Sequence, residues 1–491
     1  MFKKIDHLPN SMLLYLIIIF FSFLFPIGIL EYPGSSFDYA IFSIIFFAIA
    51  ISGFYRPIGF GYLFFSLMLW LGFWLKITLH LVLKYPYVEP VGFFRENPTE
   101  WNTVLHIASI GGAGVLVGRL LYETIPNTST MFFFPGRFTP PPWYSEIRRW
   151  VWTSLVLSCI SLSFLNAFWG IEQIGLVPRT ILPWPFNAVI SWLITNGLAF
   201  GVITLLWWDI TIGNNIDYVI YFLLIEAFAS TVSILSRATY VFHTLPIFLA
   251  LFINRKLVRG LSRTNIIMLS MTFTALFLIS YPLVNEIRGY YYSETPPATN
   301  AQEEIKGLLT ATKTQEEIKG LLKFSVDRWI GVEGVMAVSA YPEIGPHLFS
   351  LGLLEIRKTG SNTLYQEICR SNYRFMNLKK FQFGSLPGPI GFLFYSGSLL
   401  VVGIGMIILV LIILGSESLV FKLTGNPLLC ALWGGVMASS VSQMGLAPRG
   451  YLIYLFELSS EVVVIWFIQS EWFYMLLQRL KIFPSTKDIF P

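Results

Sequence analysis

Charged residues are scarce in this 491-residue chain. They make up 12% of the sequence, about half of the roughly 25% that a soluble domain usually carries. Apolar residues make up 55%, and the mean hydropathy is +0.65. Because so large a body with so little polar surface cannot stay in water, the composition excludes secreted disulfide scaffolds, disordered regulators and soluble enzymes. It predicts an all-α, multi-pass membrane helix bundle.

Several motifs with a known chemistry are also missing. The three cysteines, Cys159, Cys369 and Cys430, are too far apart for a zinc or redox motif. The sequence contains no phosphate-binding P-loop, no HExxH and no dinucleotide glycine fingerprint. We therefore expect no metal and no cofactor. The net charge of +5 is what Lys and Arg in cytoplasmic loops would produce, so it does not indicate a nucleic-acid partner.

About twelve apolar stretches are candidates for crossing the hydrocarbon core, which takes about 20 residues of helix. They are residues 12–30, 39–54, 59–83, 104–121, 151–169, 188–207, 218–235, 240–253, 266–283, 390–414, 428–444 and 451–468. With the N-terminus inside, fifteen Lys and Arg fall in cytoplasmic segments and five in the short outer loops. This bias predicts that both termini are cytoplasmic.

One segment without a spanning run divides the predicted bundle. We expect an N-terminal bundle of about nine helices at 1–283, a large periplasmic loop at 284–389, and C-terminal spans with a cytoplasmic tail at 390–491. Within the loop, the octapeptide QEEIKGLL at 302–309 recurs at 315–322, which indicates a local duplication. Because long loops without a function are uncommon, this segment is the first candidate for a functional site.

Basic residues are concentrated in the predicted loop. The run from Asp327 to Gly334 places Arg328 and Glu333 beside two glycines and a tryptophan, and His347 follows. From 357 to 388 there are six Lys or Arg, including Arg370 and Arg374, against one acid. Guanidinium groups bind phosphate oxygens in a bidentate fashion. The pattern favours a lipid-linked diphosphate as ligand, and pairing with lipid headgroups is the alternative.

Carboxylates within or beside the spans give two further hypotheses. Glu226, Glu457 and Glu461 lie in apolar stretches, where ionisable residues indicate either a proton relay or transport path, or a buried hydrogen-bonded carboxyl. Glu31 and Asp38 flank the first outer loop, as an acidic pair does in some membrane glycosyltransferases. His80 and His106 are interpreted as packing or interface residues, since neither has partners at metal spacing.

The topology and one arginine spacing together resemble the bacterial O-antigen and exopolysaccharide polymerases and, more distantly, the O-antigen ligases. Arg374 is followed ten residues later by Gly384, and LPGPIG at 386–391 then enters a span. The family has a bundle of about eleven to fourteen spans and a large, late periplasmic loop with functional arginines. The resemblance implies a location in the bacterial inner membrane.

The activity that the resemblance implies is an inverting glycosyl transfer without a cofactor. A hydroxyl of one lipid-linked glycan attacks the anomeric carbon of another and releases undecaprenyl diphosphate. Membrane lipid and a chain-length regulator are further implied partners. On this reading the diphosphate is bound by Arg328, Arg370, Arg374 and Arg288. Glu333 is the first candidate for the acceptor's base, and His347 is the second.

Three other classes of protein remain open from the sequence. One is a flippase or other transporter of lipid-linked oligosaccharides, although such proteins usually have two similar halves, and no matching halves are evident here. Another is a different membrane glycosyltransferase or ligase. The third is a structural subunit of an envelope complex.

Overall fold

A computed structural model describes residues 8–55, 57–125, 140–213, 217–253, 263–292, 326–327, 329–356, 360–445 and 447–480. Arg328 and both copies of the octapeptide lie outside the described residues. Within the described ranges, every regular element is a helix.

The helices before residue 293 are long and mostly apolar. They are α1 (Leu8–Glu31), α2 (Ser36–Tyr55), α3 (Phe60–Leu83), α4 (Pro98–Thr124), α5 (Pro142–Trp169), α6 (Phe186–Ile212), α7 (Asp217–Ile234), α8 (Arg237–Ile253) and α9 (Arg263–Tyr292).

Five of the described α-helices after residue 325 have nine residues or fewer. In chain order, the helices of this part are α10 (Val332–Ser339), α11 (Pro346–Leu354), α12 (Leu364–Ile368), α13 (Gly388–Leu393), α14 (Leu399–Thr424), α15 (Pro427–Gln443), α16 (Pro448–Gln469) and α17 (Glu471–Arg479).

Nine of the described helices are long and apolar enough to cross a membrane, namely α1 to α6, α9, α14 and α16. The chain is therefore a multi-pass, all-helical membrane protein, and the predicted fold class is confirmed at this level. The other three predicted spans form the shorter helices α7, α8 and α15. The count of twelve spans and the periplasmic position of 284–389 stay predictions.

The chain forms two compact units, each built from separate parts of the sequence. The first unit comprises Met1–Thr130, Glu294–Ser416 and Gly434–Leu452. The second comprises Met131–Ser293, Glu417–Trp433 and Ile453–Pro491.

Small residues let the helices of the first unit approach closely around α4. The α4 residue Gly112 faces Ile45 of α2, whereas Gly114 lies against the backbone of Gly403 in α14. A methyl group added to Gly114 would lie 2.5 Å from the Gly403 carbonyl oxygen. Glycines at such crossings allow backbone-to-backbone packing between membrane helices.

Two of the long helices contain a π-helical turn. One is Trp70–Leu75 within α3, in the first unit, and the other is Leu193–Gly197 within α6, in the second. Such turns are rare and often occur at functional sites, because the wider turn changes the direction in which the following side chains project.

Candidate functional site

Lys76 directly follows the π turn of α3 and is completely buried. Its Nζ lies 2.6 Å from Oε1 of Glu333, 2.6 Å from the Trp329 carbonyl oxygen and 3.4 Å from the Asp327 carbonyl oxygen. A lysine ammonium has three N–H donors, so each has an acceptor here. Lys76 thus joins α3 to the segment that leads into α10.

His80 lies one helical turn after Lys76 and binds the same segment. Its Nδ1 is 2.9 Å from the Tyr85 carbonyl oxygen, and its Nε2 is 2.8 Å from Oδ1 of Asp327. The carbonyl can only accept a hydrogen bond, so Nδ1 carries a proton and donates it. Nε2 and Asp327 consequently share a second proton. The Tyr87 ring stacks on the imidazole with 3.9 Å between ring centroids.

These four side chains, Lys76, His80, Asp327 and Glu333, form what we call the buried ionic cluster. The spacing of four residues places Lys76 and His80 on the same face of α3. Beside them, Gly72 in the π turn contacts the backbone of Gly331. The cluster therefore holds Asp327, Trp329 and Glu333 against α3.

Glu89 lies close to this cluster, in the segment 84–97 that joins α3 to α4. The side chain is half-buried, and its Oε2 has no hydrogen-bond partner among the described residues. Burial raises the pKa of Glu89, and the negative charge of Glu333 adds to the rise. The Ser385 hydroxyl and the Lys76 ammonium act in the opposite direction. A carboxyl group with a raised pKa and one oxygen that has no hydrogen-bond partner is typical of a general base.

Two contacts hold the segment 84–97 against the turn that follows α12. The Gly92 amide donates to the Cys369 carbonyl oxygen at 3.1 Å. The exposed Arg370 places its guanidinium carbon 3.6 Å from the centroid of the Phe93 ring. Arg370 has a φ of +55°, a left-handed conformation that non-glycine residues rarely adopt and that is often found at functional sites.

Arg374 lies one 3₁₀ turn after Arg370 and is half-buried. Its Nε donates to the Ser371 carbonyl oxygen at 3.0 Å, and its Nη1 lies 3.2 Å from Oε2 of Glu367. These contacts use two of the five N–H donors of a guanidinium. The Ser385 hydroxyl donates a hydrogen bond to the Ser371 hydroxyl at 3.1 Å, and Ser385 also acts on the carboxyl of Glu89. Ser385 therefore links the turn that carries both arginines to Glu89. We call Glu89, Arg370, Arg374 and Ser385 the polar layer.

The structure places the other predicted site residues elsewhere. His347 is exposed in the first turn of α11, and its carbonyl oxygen accepts from the Ser350 hydroxyl at 2.7 Å. Arg288 belongs to α9 of the second unit, where its Nε donates to the Leu235 carbonyl oxygen at 2.8 Å. Arg328 is not among the described residues. Of the six predicted residues, the polar layer therefore contains only Arg370 and Arg374, and Glu333 belongs to the buried ionic cluster.

Two other kinds of chemistry have little support in the part of the chain that the structure describes. No three or more His, Cys, Asp or Glu residues come close enough there to hold a metal ion. Burial raises the pKa of the Cys369 thiol to about 12, so the thiol stays protonated near neutral pH and is a poor nucleophile.

Lys76 and Glu89 are among the residues of this region that the sequence did not single out. A signal for Lys76 was present, because an ionisable residue inside an apolar run of this length is a functional candidate. His80, interpreted as a packing residue, proves to be bonded to Asp327.

No protein-family model, curated protein or solved structure matches the chain.

Proposed function

We propose that the protein joins polyprenyl-diphosphate-linked oligosaccharide repeat units into a polysaccharide at the outer face of a bacterial inner membrane. One observation carries the proposal. Two arginines and a carboxyl with a raised pKa belong to the same polar layer, and Glu89 of that layer lies beside the buried ionic cluster.

The reaction that fits these groups is a direct displacement at the anomeric carbon of the donor. The acceptor hydroxyl forms the new C–O bond, and its proton passes to the Glu89 carboxylate. The bond between the anomeric carbon and the diphosphate breaks, and the diphosphate leaves with the electron pair. Arg370 and Arg374 neutralise the charge that develops on it. Because the sugar–diphosphate bond is already activated, no nucleotide is needed.

Glu333 takes a positioning role in this scheme rather than the role of base. Its Oε1 is bonded to Lys76, and the side chain is 3% exposed. A carboxylate paired with an ammonium and closed off from solvent can neither reach an acceptor hydroxyl nor accept its proton readily. Glu89 therefore replaces Glu333 as the first candidate for the base, and the exposed His347 stays the second.

The outer location rests on the distribution of charge along the sequence. The excess of Lys and Arg in the predicted cytoplasmic segments, fifteen against five in the short outer loops, favours cytoplasmic termini. With twelve alternating spans, residues 84–97 and 326–389 would then lie outside. In that arrangement, the polar layer faces the side of the membrane on which lipid-linked repeat units are polymerised.

Arg370→Lys and Arg374→Lys test whether the arginines bind the diphosphate. Lysine keeps the charge and loses the bidentate fork. We expect the rate of polymer formation to fall by roughly tenfold to a hundredfold in each variant, which corresponds to about 1.5–3 kcal/mol for a charged hydrogen bond. The measurement uses purified protein in vesicles with a polyprenyl-diphosphate oligosaccharide, and glycan length is read from a gel.

Lys379→Arg is the matched control, because Lys379 is exposed on the same segment and the change again preserves charge. It should leave the rate unaltered. Wild-type rates in both lysine variants would contradict diphosphate binding. They would favour attachment of the segment to lipid headgroups, for which charge alone suffices.

The pH dependence of polymer formation provides a test of Glu89. A base must be ionised, so the rate should rise as the pH increases through the pKa of Glu89 and then level off. Because burial raises this pKa, the rising limb should lie at a higher pH than for an exposed glutamate. Ser385 lowers the pKa of Glu89, so Ser385→Ala should move the limb to still higher pH. If the rising limb of the pH–rate profile lies at the same pH in Ser385→Ala as in the wild type, a residue other than Glu89 is the base.

A further inference from the structure

The second unit contains a separate group of ionisable side chains around the π turn of α6. Glu461 of α16 lies against Gly197, and a methyl group added to that glycine would be 2.8 Å from Oε1. His243 of α8 contacts the same turn, with its Nε2 3.0 Å from the Thr195 carbonyl oxygen. None of these residues belongs to the polar layer.

Glu461 is buried without any polar partner. The residue is 4% exposed, and neither carboxyl oxygen has a hydrogen-bond partner among the described residues. Transfer of an ionised carboxylate into apolar surroundings is very unfavourable unless a cation or several donors compensate. Because no such group surrounds Glu461 in the described part of the chain, its protonated form is favoured.

The charged groups on the neighbouring elements do not change this conclusion. On α6, Asp209 is bound by Arg148 through two hydrogen bonds of 2.6 and 2.8 Å, and it lies more than three helical turns beyond Gly197. Glu457, one turn earlier on α16, is half-buried and acidic, as is Glu172 near it. Neither can serve as a counter-ion, because both would add negative charge.

His243 holds another proton beside the same turn. The Thr195 carbonyl oxygen can only accept, so Nε2 carries a hydrogen and donates it. Nδ1 lies 3.3 Å from Oε2 of Glu226, whose Oε1 accepts from the Ser230 hydroxyl at 2.8 Å. A close contact between Nδ1 and a carboxyl oxygen requires one hydrogen between them. The pair therefore exists either as imidazolium and carboxylate or as imidazole and carboxylic acid.

We propose that the π turn of α6 is the centre of an intramembrane proton-binding site, with Glu461 at Gly197 and the Glu226–His243 pair at Thr195. The ligand is a proton that exchanges with water. A metal cation does not fit, since no three or more His, Cys, Asp or Glu in the described ranges come together as ligands. Such a site gives the second unit a function in binding or passing protons that polymer formation does not require.

Infrared difference spectroscopy on the full chain in lipid vesicles tests the proposal at neutral pH. Subtracting the spectrum of Glu461→Gln from that of the wild type should leave the carbonyl stretch of a protonated carboxylic acid. Transfer to D₂O should shift this band, because the proton exchanges. Glu471→Gln is the matched control: Glu471 is exposed at the start of α17, so its difference spectrum should contain carboxylate bands instead.

Carboxylate bands in the Glu461→Gln difference spectrum would overturn the proposal. So would a carboxylic acid band that does not shift after days in D₂O, since Glu461 would then be a sealed structural acid. If Glu461→Gln does not fold, as judged from its amide bands, Glu461→Asp takes its place and should move the carbonyl band instead of removing it. Polymer formation is not a readout here, so the result is independent of the proposed function.

Discussion

Glu89→Gln is expected to slow polymer formation by roughly a hundredfold to ten-thousandfold, the usual contribution of a positioned general base. Glutamine has the same shape as glutamate and can still hydrogen-bond the Ser385 hydroxyl, but it cannot take up the acceptor's proton. The loss should appear in kcat, with KM for the lipid-linked repeat unit nearly unchanged, because the substrate contacts remain. Initial rates over a range of substrate concentrations provide both constants.

Glu96→Gln is the matched control for this experiment. Glu96 lies on the same segment and is exposed, so its neutralisation should leave kcat within about twofold of the wild type, as expected for a surface change. A wild-type kcat in Glu89→Gln would remove Glu89 from the mechanism. His347→Asn would then be the next variant to measure.

Lys76→Met is expected to lower the free energy of unfolding by about 3–5 kcal/mol, as is usual when one partner of a buried ion pair is removed. Methionine fills most of the space of the lysine stem, so a cavity contributes little. The loss comes from the Glu333 carboxylate and the Trp329 carbonyl oxygen, which both lose the ammonium that binds them. Thermal or denaturant unfolding of the protein in detergent would measure it.

A double variant separates this electrostatic cause from a packing defect. Lys76→Met combined with Glu333→Leu leaves no buried charge and should regain most of the stability. Lys84→Met is the control, because Lys84 pairs with Glu31 at 3.0 Å on the surface, where such a pair contributes about 0.2–1 kcal/mol. A double variant whose loss equals the sum of the single losses would contradict the pairing of Lys76 with Glu333.

The spans could largely be predicted from hydropathy, because length and apolar composition decide whether a helix can cross a membrane. The sequence is less informative about the shorter helices. Between α7 and α8 only Leu235 and Ser236 intervene, and Leu235 has a φ of +60°. The prediction separated 218–235 from 240–253 at this break, but hydropathy could not show that helices of 18 and 17 residues are joined there by only two residues.

The arrangement of the site could not be predicted, because its members are far apart along the chain. Lys76 and Glu333 are separated by 257 residues, and no local pattern specifies which buried acid pairs with which buried base. The arginines were easier to identify: a basic run stands out against a chain with few charges. Glu89 has an ordinary local sequence, and two of the residues that act on its pKa, Glu333 and Ser385, follow it by more than two hundred positions.

The π turn at Trp70–Leu75 ties the buried ionic cluster to the length of the chain as well as to its chemistry. A π turn holds one residue more than an α-helical turn, and each residue of an α-helix rotates the next by about 100°. If 70–75 became regular α-helix with every residue kept, Lys76 and His80 would rotate away from Asp327 and Glu333. Loss of one residue together with the π turn would instead leave Lys76 and His80 near their present face of α3. A related chain that is one residue shorter in this turn could therefore keep the site as regular α-helix, whereas a chain of the present length needs the π turn to keep it.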